Sequence, residues 1–347
     1  MRQGAVKTAW SISMKRIVIA AIAAVFAMVL VGSGQWPLPN LGTTDSGIPE
    51  PIVIRTTVQE FAGLIYIAED EGFFAQNGLN VTIHYCDTGL ACVNGMANGE
   101  SDVAASSEYP VVGIVLKHGN ISVIGSIDKY QGQYIVGRRD RGINHVADLR
   151  GKKIGAARGT ITEFYLGRFL FLNNISLQDV ILEDVRPSQY ADSIANGSMD
   201  AIIIPQVHLP PVEERLGSNA AVWQAQSNQN AFGVLTCRND WIASHPETVN
   251  KLLKSLVQAE QYIINHPDAA KAIMQKRLNC TDAYMAAVWP LHRYSLTLDM
   301  SLLTAMEDEG RWMIKNNLTS EKMIPDFRNY IYMEGLEEVK PESVNIW

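Results

Sequence analysis

Residues 63–102 confine this chain to one kind of architecture. An apolar helical stripe, Leu64, Ile65, Ile67 and Ala68, runs into Glu71-Gly72-Phe73-Phe74 and stops at Asn77-Gly78. That is a C-cap signature, where the backbone needs a positive φ. A β-prone run at 81–85 follows, then a polar loop, Asp87-Thr88-Gly89, then a second helical stretch closed by Asn98-Gly99-Glu100-Ser101-Asp102. Helix, strand, loop and helix in this order predict βα units, which build a sheet through helical crossovers.

The alternation continues along the chain. Strands are predicted at 51–57, 81–85, 102–105 and 121–127, with helices at 62–77, 89–98 and 109–118. A second series begins after 134–137: strand 153–157, a helix opened by Gly159-Thr160-Ile161-Thr162-Glu163, strand 180–185, helix 188–196 and strand 201–204. Pro205, Pro210 and Pro211 mark a loop, and 232–237 reads as strand again. From Trp241 on the pattern is helical, at 246–265, 267–277, 281–289 and 300–317. The expectation is an α/β protein of two lobes, each a mainly parallel sheet flanked by helices, with a helical C-terminal third. Residues 52–133 and 234–347 are assigned to the first lobe and 134–233 to the second. The chain crosses between them near 131–137 and 230–234. At 347 residues it is long enough for two cores.

The N-terminus reads as a targeting segment. Lys15-Arg16 precede an unbroken apolar run over 17–31, then Gly32-Ser33-Gly34, the order of a basic, an apolar and a small-residue region. Residues 1–33 are expected to be a signal peptide, cleaved after Ser33 or Gly34, or an uncleaved anchor; residues 34–51 form a flexible tether. Met14 is an alternative start. The formal net charge is −7, and the cations of the first 33 residues leave the remainder more acidic still. Such a surface argues against nucleic-acid binding, which needs basic patches.

The four cysteines, Cys86, Cys92, Cys237 and Cys280, allow two bridges in an oxidising compartment. Cys86 ends a predicted strand and Cys92 lies in the next helix, so a local Cys86–Cys92 bridge is one reading and buried free thiols the other. His84-x-Cys86-x5-Cys92 lacks zinc spacing, no metal or cofactor is expected, and the seven histidines are scattered. No nucleophile-elbow, phosphate-loop or His-Glu-x-x-His pattern occurs, so a non-catalytic protein is expected.

Open α/β sheets bind ligands at strand C-termini, where following helices offer unpaired N–H groups. This rule selects Glu60 and Phe61 after the first strand and Thr88 and Gly89 after the second. It adds Ser106, Ser107 and Glu108 after the third, Thr160, Ile161 and Thr162 in the second series, and Gln206 after a later strand. The hydroxyls suit an oxyanion. Three acids in or beside these loops, Glu60, Glu108 and Glu163, suit an amine or protonated heterocycle instead. Thr160-x-x-Glu163 also reads as a capping box, and Glu108 as a first-turn dipole acid. Glu60 has no such second reading. Tyr66, Tyr85, Tyr109 and Tyr165 are either core residues or the lining of an aromatic pocket.

Five stretches in order carry a resemblance: Ala68-Glu-Asp-Glu-Gly-Phe-Phe74, Asn77-Gly-Leu-Asn-Val81, Met96-Ala-Asn-Gly-Glu-Ser-Asp-Val103, Asp148-Leu-Arg-Gly-Lys-Lys-Ile-Gly155 and Ile194-Ala-Asn-Gly-Ser-Met-Asp-Ala201. Over about residues 52–335 the chain resembles the substrate-binding proteins of ABC importers, in the branch of sulfonate, taurine, nitrate and thiamine-precursor binders. The resemblance implies a type II periplasmic-binding-protein fold. It also implies an exported monomer, periplasmic or at the cell surface, that captures a small polar ligand between its lobes and hands it to a permease and ATPase. A membrane-tethered sensing ectodomain and a thiamine-pyrimidine enzyme on the same fold are the alternatives, although the Cys-rich motif of such enzymes is not found.

Overall fold

The computed structural model describes residues 48–226 and 229–347. The predicted targeting segment and most of the tether lie outside the described residues. In the first half the strands are β1 (Glu50–Thr56), β2 (Leu79–Tyr85), β3 (Val103–Ser107), β4 (Ile121–Tyr130), β5 (Gln133–Arg138) and β6 (Lys153–Ala156). The second half adds β7 (Ile181–Asp184), β8 (Ala201–Pro205), β9 (Ala220–Gln224), β10 (Ala231–Arg238), β11 (His292–Asp299) and β12 (Val344–Asn345). They form a seven-stranded sheet, ordered β12-β11-β4-β10-β3-β1-β2, and a five-stranded sheet, ordered β7-β6-β8-β5-β9.

Both sheets are mixed, not mainly parallel. β2, β1 and β3 run parallel, as do β7, β6 and β8. β10 is antiparallel to β3 and β4, and β5 is antiparallel to β8 and β9. The reason lies in the crossings. β4 runs toward the connection between the sheets and β10 runs away from it, so side by side they must oppose; β5 and β9 oppose for the same reason. These strands pass from sheet to sheet without the helical crossover that parallel pairing requires.

Buried Gln226 ties the two crossing segments together. Its Oε1 accepts from the amides of Gly132 and Gln133, and its Nε2 donates to the Tyr130 carbonyl. Gln206 joins the same junction through its own amide, which donates to the Gly132 carbonyl at 2.7 Å.

The helices that matter for the site are α1 (Gly63–Asp70), α2 (Gly89–Ala97), α3 (Glu108–Val115), α4 (Ile161–Leu172), α5 (Pro246–Asn265) and α6 (Met300–Lys315). The long helix α5 buries Val249, Leu252, Leu253, Leu256 and Ala259, the 3–4 spacing of one apolar stripe. In the C-terminal third the helices are interrupted by β11 and followed by the short β12. Strand β11 inserts beside β4, burying Tyr294, Leu296 and Leu298 in strict alternation. Its period of two is present in the sequence, but it is short and lies between helical patterns. β9, also unexpected, lies on the edge of the smaller sheet.

The repeated Asn-Gly-x-x-Asp motif has one structural job in each sheet. Gly99 and Gly197 both take φ of +83° as their helices end, a conformation that costs glycine little. The next acid then clasps a strand. Asp102 Oδ2 accepts from Val53 N at 2.8 Å, and Asp200 Oδ2 accepts from Lys153 N at 3.0 Å. In each case the acid's own amide donates back to the same strand residue.

Candidate functional site

A cleft opens where the C-terminal ends of β1, β2, β3 and β4 face those of β6, β7 and β8. Thr57, Gln59 and Phe61 follow β1, Asp87, Thr88 and Gly89 follow β2, and Ser107 and Tyr130 end β3 and β4. From the smaller sheet come Ala157, Thr160, Ile161 and Thr162, then Pro187 and Tyr190, then Pro205. The space left between its walls is about 30 Å³, room for one or two waters. The first turns of α2 and α4 meet here. Gly159, at φ +70°, lies so close to Leu90 that a Cβ on it would sit 2.7 Å from Leu90 Cδ2.

Of the residues selected from the sequence, Phe61, Thr88, Gly89, Ser107, Thr160, Ile161 and Thr162 line this cleft. Ser106 does not; it lies buried beneath, its Oγ donating to the Ser107 carbonyl at 2.8 Å. Gln206 sits beside the crossing, not on the wall. Glu60 and Glu108 are off the wall as well.

All three acids that had left the ligand charge open have other partners. Glu60 is buried, and its carboxylate accepts from the Tyr284 hydroxyl. Glu108 is buried at the start of α3, its Oε2 accepting from Phe232 N at 3.1 Å. Burial pushes it up to about 8, and it interacts with Glu309, whose own carboxyl burial and the neighbouring Glu108 push well above the ordinary range. Glu163 accepts from Gly159 N at 2.7 Å and pairs with Arg158 at 2.5 Å. It therefore serves its own helix start, though Thr160 makes no cap. The Thr160 hydroxyl instead donates to the Ala157 carbonyl at 2.7 Å and shares a hydrogen bond with Thr162 Oγ1 at 2.6 Å.

What remains on the wall is hydroxyls and two helix starts. Among the described lining residues Asp87 is the single charged side chain, and it is exposed at the rim. Thr57 Oγ1 is buried with no hydrogen-bond partner among the described residues. The first N–H groups of α2 and α4 have no intrahelical acceptor. His208 stacks edge-on against Tyr190 at 5.3 Å, and burial holds it down to about 4, so it is neutral near pH 7.

The aromatic residues of the cleft are Phe61, Tyr130 and Tyr190. Tyr66, Tyr109 and Tyr165 are core, and Tyr85 is on the surface. Phe61 stacks on Tyr130 at 6.1 Å. Behind Tyr130 stack His292 and then Tyr294, with His292 Nδ1 2.5 Å from Asp128. Thr57, Tyr130, Pro187 and Tyr190 escaped the sequence reading. The strand-terminus rule that found the others would also have found Pro187 and Tyr190, since they follow β7; Tyr130 reads as one more apolar strand residue until the crossing is known.

All four cysteines are free thiols. Cys86 and Cys92 hydrogen-bond each other through their side chains without being joined. Among the described residues no helix is long and apolar enough to cross a membrane.

Comparison with known proteins places this geometry. A Bacillus subtilis (strain 168) protein, named provisionally as an aliphatic sulfonates-binding protein, is 26% identical over 222 residues, 62% of this chain and 67% of that one. The alkanesulfonate-binding protein SsuA from Xanthomonas axonopodis pv. citri, solved bound to MOPS, superposes with TM-score 0.73 at 14% identity, covering 83% of this chain and all of that one. The desulfurization enzyme DSZB shares the fold too, with TM-score 0.61 at 16% identity over 84% of this chain and 99% of that one. The fold is thus the two-lobed α/β fold of periplasmic binding proteins, and it hosts both binders and an enzyme. The family model described as NMT1/THI5 like matches residues 59–270, more than half of the sequence, and the chain belongs to that family.

Proposed function

We propose that this chain is an exported solute-binding protein that captures a small organic oxyanion, a sulfonate above all, in the cleft and delivers it to an ABC permease and its ATPase. One observation carries the choice of charge. Glu60, Glu108 and Glu163 turn to Tyr284, Phe232 and Gly159, leaving hydroxyls and two helix N-termini on the wall. Such termini favour anions. Phe61, Tyr130 and Pro187 offer apolar contact to an organic tail. The sulfonate-binding relative and structural neighbour support the same class.

The lobes are assigned as residues 52–133 with 234–347, and 134–233. The cavity is too small for an organic anion as it stands, so the lobes part around the crossing strands to admit one. Ligand contacts to both lobes then favour the closed form that docks on the permease. The protein acts as a monomer, exported by residues 1–33. The role is capture without chemistry. The buried His–carboxylate pair, Asp128–His292, is stacked behind Tyr130 and does not line the cleft.

Calorimetric titration of the full chain with MOPS, nitrate and a protonated aminopyrimidine tests the reading. Sulfonate binding without amine binding is the expected result; amine binding alone overturns it. Turnover of a bound sulfonate would favour an enzyme. N-terminal sequencing after export, with membrane fractionation, separates a cleaved signal from an anchor.

A further inference from the structure

Cys86 and Cys92 bracket the loop that brings Asp87, Thr88 and Gly89 to the cleft. Cys86 follows β2, its amide donating to the Thr56 carbonyl at 2.8 Å. Cys92 sits in the first turns of α2, its amide donating to the Thr88 carbonyl at 3.1 Å. Both anchors are therefore firm, and the two side chains are near enough to interact.

Their surroundings differ. Cys92 is fully buried, whereas Cys86 is half-buried and opens onto a surface recess of about 550 Å³ shared with Arg55, His84 and Tyr85. Arg55 lies across α2 so closely that a Cβ on Gly95 would sit 1.9 Å from its Nη1, and its buried Nε has no acceptor among the described residues. Its Nη1 pairs with Glu100 at 2.6 Å. The hydrogen bond from Cys92 holds the Cys86 thiol below the ordinary range, with Arg55 adding to that pull and burial and Glu100 opposing it. The hydrogen bond to Cys86 and burial hold Cys92 far above the ordinary range. An accessible thiol beside a cation, with a second thiol next to it, is the arrangement of a reactive dithiol.

We propose that Cys86 and Cys92 are a redox-modifiable pair, and that joining them constrains the 87–91 loop and thereby tunes the ligand site. The link to ligand rests on the solute-binding reading; the thiol chemistry does not. The oxidant is a small-molecule disulfide. The Cys86 thiolate attacks one of its sulfurs, the S–S bond breaks, and one thiolate leaves. Cys92 then loses its proton and attacks Cys86 Sγ, expelling the second thiolate. Two protein S–H groups become one S–S bond, and the oxidant, taking two electrons and two protons, becomes two thiols.

The test uses the purified full chain and glutathione disulfide, followed by mass spectrometry. The wild type should lose two hydrogens and yield a peptide cross-linked between residues 86 and 92, with no lasting adduct. Cys92→Ser should retain one glutathione on Cys86, and Cys86→Ser should take none on Cys92. A stable adduct on Cys86 of the wild type, or Cys92 modified as fast without Cys86, overturns the pairing.

Hydrogen exchange of the 87–91 amides, read without ligand, should slow by about threefold or more in the bridged form, and MOPS affinity should change by a similar factor, as expected when a binding loop is pre-organised. Cys86→Ser should show neither change. Unchanged exchange, or slowed exchange with unchanged MOPS affinity, overturns the coupling. If neither redox form binds MOPS, the sulfonate reading fails, and the pairing and the loop constraint are still decided by mass and by exchange.

Discussion

The helices that meet in the cleft begin alike in sequence and differently in space. Thr88 precedes α2 and Thr160 precedes α4, both with extended backbone. Thr88 Oγ1 accepts from Ala91 N at 3.1 Å and so caps its own helix. Thr160 caps nothing. Its hydroxyl is held by Ala157 and Thr162, and the capping work falls to Glu163 through Gly159 N. The same residue type thus caps its own helix in one lobe and leaves the helix amides open to the cleft in the other. A helix start is most available to a ligand where its N-cap hydroxyl turns away from it.

The strongest way to break this contrast is Thr160→Val, which keeps the shape and removes the hydroxyl. MOPS affinity should fall by about 2 kcal/mol, the scale of a hydrogen bond to a charged group, with a smaller stability loss of about 1 kcal/mol from the severed bond to the Ala157 carbonyl. Unchanged affinity by calorimetry would put both threonines on the same footing.

Next comes the third helix start, at α3, where Glu108 meets Glu309. Glu108 is pushed up to about 8, above its unfolded value. Between that unfolded value and about pH 8 the native state keeps a proton that the unfolded chain has released, so stability should fall as pH rises. The slope approaches about 1.4 kcal/mol per pH unit for one proton. Glu309→Gln offers a neutral donor and should flatten this slope and stabilise the protein at pH 8, measured by urea denaturation across pH. An equal slope in the variant would show that the pair does not hold the proton.

Thr88→Ala sharpens the contrast from the other side. It should cost about 1 kcal/mol of stability as a lost N-cap, with a smaller loss of MOPS affinity than Thr160→Val. A larger affinity loss than stability loss would reverse the assignment. The smallest effect is expected from Glu60→Gln. Read from the sequence alone, Glu60 is the acid with no second role at its own helix start; in the fold it meets Tyr284. Affinity should stay within about twofold, a difference of under 0.5 kcal/mol; a larger drop would mean that Glu60 turns toward the cleft in the open form.

The strands and helices with long, regular patterns were legible in the sequence. The α5 stripe, the glycine-ended turns and the β1–β3 series follow from local periodicity, and the strand-terminus rule reached most of the cleft. Less was legible where the deciding partner is remote. β11 has an alternating pattern but needs β4, more than 160 residues earlier, to pair with. Gln226 looks like any loop glutamine until the two crossings are side by side. Tyr130 becomes a cleft residue only once its strand ends at the junction.

The order of residues by itself determined the alternation of elements, the glycine-ended helices at Asn98-Gly99 and Asn196-Gly197 and the loops that reach the cleft, because each depends on neighbours within a few residues or on one periodic face. Only the tertiary structure decided which way the acids turn. A carboxylate takes whichever donor gives it the most hydrogen bonding for the least desolvation. For Glu60 and Glu108 those donors, Tyr284 and Phe232, lie 224 and 124 residues away. The charge of the site therefore emerges from packing, and the loop sequence alone leaves it open.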